Sequence, residues 1–179
     1  MKGVVFTEFL EMVEDKFGFD VADKIVSNSE LDSGGVYTAV GTYQHSEMVQ
    51  LVTNLSSESG LTIPQLLKAY GNHLFTRFAE GYEAFFEGVS DGFVFLEQIE
   101  GYIHVEVRKL YPDAELPSFE TKRLDDNTLE MIYTSERRMA DFAEGLIEGC
   151  AKHFNENYAI AKTNIEETGK IVRFTISRS

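Results

Sequence analysis

Over residues 2–17, Val5, Phe6, Phe9, Leu10, Val13 and Phe17 recur at helical spacing, and Gly18 follows at the position of a C-terminal cap. This pattern predicts a first helix. A shorter helix over about 20–28 carries Val21, Ile25 and Val26 and runs into a loop at 29–35. Ser46 is placed to cap a third helix in which Val49, Leu51, Val52 and Leu55 face inward, and Gly60 ends it. Thr62-Ile-Pro-Gln65 forms a capping box with proline inside the first turn, so a fourth helix starts there, with Leu66, Leu67, Tyr70, Leu74 and Phe78 as its stripe.

After an aromatic segment at 82–86, Ser90-Asp91-Gly92 opens a helix whose apolar stripe is Phe95, Ile99, Ile103, Val107 and Leu110, stopped before Pro112. Beyond Pro117 the period changes from helical to alternating. Residues 118–122 and 128–135, joined by Asp125-Asp126-Asn127, read as a β-hairpin. Met139, Phe142, Ala143, Leu146, Ile147, Cys150 and Phe154 then define a long helix, and Gly145 and Gly149 on one face permit close approach of a neighbour. Residues 158–165 and 170–177, around Glu166-Glu-Thr-Gly169, make a second hairpin. The expected class is α+β, with a helical lobe at 1–60 packed on an α+β lobe at 61–179. No linker rich in Pro, Gly or Ser divides the chain, so one domain is expected.

The chain of 179 residues is long enough to bury a substantial core, and 14 phenylalanines with no tryptophan can wall an apolar pocket. Sixteen Lys and Arg against 30 Asp and Glu give a net charge of −14, which repels phosphate backbones and disfavours nucleic-acid or anionic-membrane partners. Glu8 and Glu11 interrupt the apolar start before a signal sequence is complete, and no run of about 18 apolar residues is present. A lone cysteine, Cys150, suits a reducing compartment, and the expected address is the cytoplasm.

The chemistry concentrates in the second half. His104 sits beside the apolar stripe of its helix, either as a core histidine satisfied by a neighbour or as a ligand facing a pocket. Gly101, one turn earlier, removes a side chain beside it, as a flat group lying over the imidazole requires. His45 and His153 stand in polar surroundings, and His73 lies at the edge of the fourth helix's stripe. No HxxxH, HExxH, CxxC or CxxCH spacing occurs, which argues against a structural zinc site, a zinc hydrolase and covalent haem attachment. Tyr133, Ser135 and Arg137, two residues apart on a strand, would line two hydroxyls and a guanidinium along one edge at intervals of about 6.6 Å. That edge can grip two carboxylates, since Arg supplies a bidentate fork. Taken alone, the three residues read first as a solvent-facing strand edge, since short motifs match by chance. No Gly-x-Ser-x-Gly elbow or Gly-rich phosphate loop is present, so catalysis has little support.

Met1-Lys-Gly3, His104 followed by Tyr111-Pro-Asp-Ala-Glu-Leu-Pro117, and Tyr133-x-Ser135-x-Arg137, in that order along the whole chain, resemble the H-NOX family of haem nitric oxide/oxygen binding domains. The resemblance implies a non-covalent haem b between the two lobes, with iron bound by His104 and propionates held by Tyr133, Ser135 and Arg137. Pro117 is then expected to press on the porphyrin, and Val5, Phe9, Leu74, Phe78, Phe142 and Leu146 to surround the haem. Family members that bind oxygen stably carry a hydrogen-bonding tyrosine five residues after the motif arginine, where this chain has Phe142, and polar or indole partners where the resemblance places Leu74 and Phe9. Bound oxygen gains from a donor, whereas nitric oxide binds ferrous iron without one.

The expectation is therefore a non-catalytic sensor of nitric oxide, also binding carbon monoxide. In such a sensor the bond to His104 breaks and a lobe movement signals to a partner, expected to be a histidine kinase or a cyclic-dinucleotide signalling enzyme. The alternatives are a haem domain related to guanylate cyclase regulation, although 179 residues leave no room for a cyclase domain, and a gas-binding haem protein with no signalling partner.

Overall fold

The structure, a computed structural model, describes residues 1–178. In chain order it contains α1 (Val4–Phe17), α2 (Phe19–Ser27), α3 (His45–Ser59), α4 (Ile63–Gly81), a 3₁₀ turn (Glu83–Phe86), α5 (Gly92–Glu97), a π turn (Ile99–Ile103), α6 (His104–Leu110), β1 (Ser118–Asp125), β2 (Thr128–Thr134), α7 (Ala140–His153), β3 (Tyr158–Asn164) and β4 (Ile171–Arg178). Helices plus a four-stranded antiparallel sheet make it an α+β fold. Two compact units emerge, Met1–Tyr70 and a second that begins at Gly71, a division that falls within α4. No helix among the described residues is long and apolar enough to cross a membrane.

In the first unit, α1 buries Phe6, Phe9, Met12 and Val13, and α2 buries Ala22 and Ile25. Gly18, at φ 91°, is the single residue between the end of α1 and the start of α2. Two details of the third helix differ from expectation. It begins at His45 with Gln44 as the cap and no side-chain capping bond, so Ser46 lies inside the helix. Its inward face is Met48, Leu51, Val52 and Leu55, a regular i, i+3, i+4, i+7 row, which leaves Val49 pointing outward and 49% exposed. The predicted capping box at the start of α4 is present: Thr62 N–H donates to Gln65 Oε1 at 2.9 Å, and Gln65 N–H returns to Thr62 Oγ at 3.4 Å. Buried Glu47 accepts from the hydroxyls of Ser33 (2.5 Å) and Tyr37 (2.7 Å), which ties the loop before α3 to its first turn.

In the second unit the strand order is β1-β2-β4-β3, so the second hairpin inserts its returning strand beside β2 and leaves β3 at the edge. Alternate residues Leu129, Met131 and Tyr133 of β2 and Val172, Phe174 and Ile176 of β4 turn to one face. Phe93, Phe95 and Leu96 of α5 and Ala143, Ile147 and Cys150 of α7 join them in the core. Gly71 and Gly149 set how closely α4 and α7 cross: a Cβ on Gly71 would stand 2.2 Å from the Phe142 carbonyl oxygen, and one on Gly149 2.6 Å from Phe75 Cβ. The close approach read from Gly145 and Gly149 is therefore present.

The helix expected to run uninterrupted to Pro112 is instead three pieces. Asp91 caps α5 by accepting from the Val94 N–H at 3.1 Å. A π turn comes next, in which Ile103 N–H reaches back five residues to the Gln98 carbonyl (3.1 Å) and His104 N–H reaches Ile99. The extra residue rotates α6, and Leu110 is 58% exposed rather than part of the apolar stripe.

Candidate functional site

His104 is the first residue of α6 and is only 9% exposed. Its Nδ1 lies 3.1 Å from Glu100 Oε2. The same carboxylate accepts from the Phe119 N–H at the start of β1 (3.2 Å) and from Arg108 Nη2 (3.4 Å). Partial burial pushes the Glu100 carboxyl up, but the bonds from Phe119, His104 and Arg108 outweigh it and hold the group below its usual range. Glu100 is therefore ionised and can only accept, so Nδ1 carries the hydrogen and Nε2 keeps its lone pair. Burial pulls the His104 imidazole below its ordinary value despite the opposing pull of Glu100, which keeps the ring neutral at pH 7. Of the two readings of His104, the core-histidine one is satisfied at one nitrogen only. The Phe119 ring packs against the imidazole at 5.8 Å between centroids. Gly101 is exposed, and a Cβ there would meet no atom of the chain within 4 Å, so packing within the protein does not require the glycine.

Tyr133, Ser135 and Arg137 come together, but not along a straight strand edge as expected. β2 ends at Thr134, and Ser135 begins a turn in which its Oγ accepts from the Arg137 N–H at 3.2 Å and its carbonyl from the Arg138 N–H at 3.3 Å. Arg138 takes a positive φ of 54° to complete the turn. The strand stops there because the next residues turn toward α7: the Tyr133 hydroxyl, buried at the edge of the core, accepts from the Met139 N–H at 3.0 Å. Burial raises the Tyr133 phenol, with hydrogen bonds from Ser135 and the Met139 backbone opposing, so it stays protonated and keeps a proton to donate. The Arg137 fork is held by a carbonyl and a carboxylate of one residue, Glu115, through Nη1 to its O (2.6 Å) and Nη2 to its Oε2 (2.8 Å). The Glu115 side chain is 86% exposed, so this carboxylate reaches the guanidinium from the solvent side. Pro117 stands immediately before β1, two residues from both Glu115 and Phe119.

The apolar candidates lie on three helices. In the first unit, Phe9 is fully buried on α1 with its ring edge-on to Tyr70 (5.2 Å), and the half-buried Val5 accepts the Tyr70 hydroxyl at its carbonyl. In the second unit, Leu74 is buried and Phe78 half-buried on α4, on the face that also carries Gly71. Gly71 meets α7 at Phe142 and Leu146, both half-buried and one turn apart. None of these six side chains carries a hydrogen-bond donor.

Sequence reasoning overlooked Glu100, Phe119 and Glu115. The i, i+4 pairing of Glu100 with His104 was a readable signal. The reach of Glu115 across 22 residues to Arg137 was not.

The chain belongs to the Haem-NO-binding family, whose model matches residues 2–162. It is similar to the unliganded Fe(II) H-NOX protein of K. algicida, at 46% identity and a TM-score of 0.95, covering 100% of this chain and 97% of that one. The H-NOX protein of S. oneidensis in the Fe(II)NO state is 28% identical with a TM-score of 0.91, covering 100% and 99%. The IWP-051-bound H-NOX of Shewanella woodyi in the Fe(II)CO state is 42% identical with a TM-score of 0.85, covering 100% and 95%. Among curated proteins, soluble guanylate cyclase gcy-35 of Caenorhabditis elegans is 24% identical over 167 residues, which is 90% of this chain but 24% of the cyclase. The chain thus spans about a quarter of that relative's length. Its family is that of haem-binding gas-sensor domains related to soluble guanylate cyclase.

Proposed function

We propose that this protein senses nitric oxide through a non-covalent haem b held by His104, and that it also binds carbon monoxide. The observation that carries this reading is the state of His104: a buried, neutral imidazole whose Nδ1–H is committed to Glu100 and whose Nε2 lone pair is left for a metal. The residues around it fit such a group. Arg137 already grips a carboxylate in Glu115, which stands in for a propionate, while the Tyr133 phenol feels the Arg137 charge and the Ser135 Oγ accepts from the Arg137 backbone N–H. When bound, haem would supply the ferrous iron that takes up a diatomic gas.

The chain's own residues determine selectivity and response. Val5, Phe9, Leu74, Phe78, Phe142 and Leu146 would offer a haem apolar surface, and the absence of a donor among them would withhold the stabilisation that bound oxygen needs. Pro117 and His104 would be the residues that contact the porphyrin and hold its iron, and release of that iron by His104 in response to nitric oxide would be the signal. A partner that binds the two states, with His104 bound or released, with different affinity would read the change. Histidine kinases and cyclic-dinucleotide enzymes are the partners proposed, with the protein itself non-catalytic and cytoplasmic.

The test is gas selectivity. Ferrous protein should change its absorption spectrum with nitric oxide and with carbon monoxide and form no stable complex in air. A stable oxygen complex in the unmodified protein would contradict the donor-free pocket.

A further inference from the structure

From the hydrogen bonds around Glu100 we infer that this residue is the positioning group of the iron ligand: it fixes the His104 ring and strengthens its donation to iron, and so sets how readily the bond to His104 breaks. The inference rests on the proposed ligation by His104. Glu100 lies inside the π turn, four residues before the imidazole, with its Oε2 3.1 Å from Nδ1. A carboxylate that accepts the remaining N–H of a ligating histidine fixes its tautomer and orientation and raises its basicity. Here that carboxylate is itself anchored twice, by the Phe119 N–H at 3.2 Å and by Arg108 at 3.4 Å. It is therefore pre-set rather than recruited.

The anchors give Glu100 two further properties. Phe119 joins the ligand to the carboxylate-binding side of the site, because its ring packs at 5.8 Å from His104 and at 5.6 Å from Tyr133 while its N–H holds Glu100. A displacement of α6 is thereby felt at β1, two residues from Pro117. Arg108, on α6 and exposed, draws on the same carboxylate through its other oxygen and reduces the charge that Glu100 can lend to the imidazole. Glu100 and Arg108 should thus act on the iron bond in opposite directions, a relation that mere structural support does not produce.

The experiment compares ferrous, unliganded holoprotein of the natural chain with Glu100→Gln and Arg108→Ala. Glutamine keeps an oxygen for the Phe119 N–H and so preserves the local fold. Resonance Raman spectra should show the iron–histidine stretching band at lower wavenumber in Glu100→Gln and at higher wavenumber in Arg108→Ala. The Glu100→Gln protein should also have a raised reduction potential and lose its His104 bond faster after nitric oxide is added. A band that stays in place in Glu100→Gln, or one that moves the same way in both variants, would overturn the assignment. No iron–histidine band in the natural protein would instead refute ligation by His104, and the role of Glu100 with it.

Discussion

The two groups of residues proposed to surround the haem are built on opposite plans. Around His104 polar groups are answered by one another: the imidazole Nδ1 by Glu100, Glu100 by Phe119 and Arg108, Arg137 by Glu115, and Tyr133 by the Met139 backbone. Around Phe142 and Leu146 the helices α4 and α7 meet through glycine, so closely that a methyl group on Gly71 would stand 2.2 Å from a carbonyl oxygen. The polar group can hold a charged, planar ligand and can be retuned one bond at a time. The apolar group offers shape alone. In the proposed sensor, discrimination between gases would come from what the apolar side withholds, and signal from what the polar side lets go.

The largest effect is expected from removing the ligand itself. His104→Gly should lose haem during purification and recover it when free imidazole is supplied, as followed by the haem absorption band; unchanged haem binding would move the ligand elsewhere. Next comes the grip on the propionates. Arg137→Ala should weaken haem retention by up to about 3 kcal/mol, the range of a charge-assisted hydrogen bond, and more than Ser135→Ala does. A haem-transfer assay ranks the two, and the reverse order would leave Arg137 as a partner of Glu115 only. On the apolar side, Phe142→Tyr introduces a donor and should raise oxygen affinity by about ten- to a hundredfold, equivalent to roughly 1.5–3 kcal/mol, measured by oxygen equilibrium. The smallest change is structural. Gly149→Ala puts a methyl group 2.6 Å from Phe75 Cβ, and after the gain in helix propensity the net loss should be about 1 kcal/mol in a denaturant midpoint.

The same contrast governs what could be read from the sequence. Local rules were legible: the Thr62–Gln65 capping box, the alternation in β2 and β4, and the small-residue face of α7 all depend on residues within a turn or two of each other. The π turn was not, because Ile99 and Ile103 keep the four-residue spacing of an α-helix, while the wider turn shows itself only in backbone bonds that reach back five residues. Likewise Tyr133, Ser135 and Arg137 were visible as a set, but their convergence comes from a turn after Thr134, fixed by bonds to Lys170 and Met139 that lie outside the motif. Val49 and Leu110 were assigned inward as members of apolar stripes, but the buried row of α3 runs through Met48 instead, and the extra π residue turned Leu110 outward.

The central claim is that His104 holds the iron and releases it in response to nitric oxide. Titrating the ferrous protein with nitric oxide and recording its absorption spectrum tests this most directly. A five-coordinate spectrum, in which the histidine bond is lost, is the expected end point, and a six-coordinate spectrum that persists at saturation would contradict it.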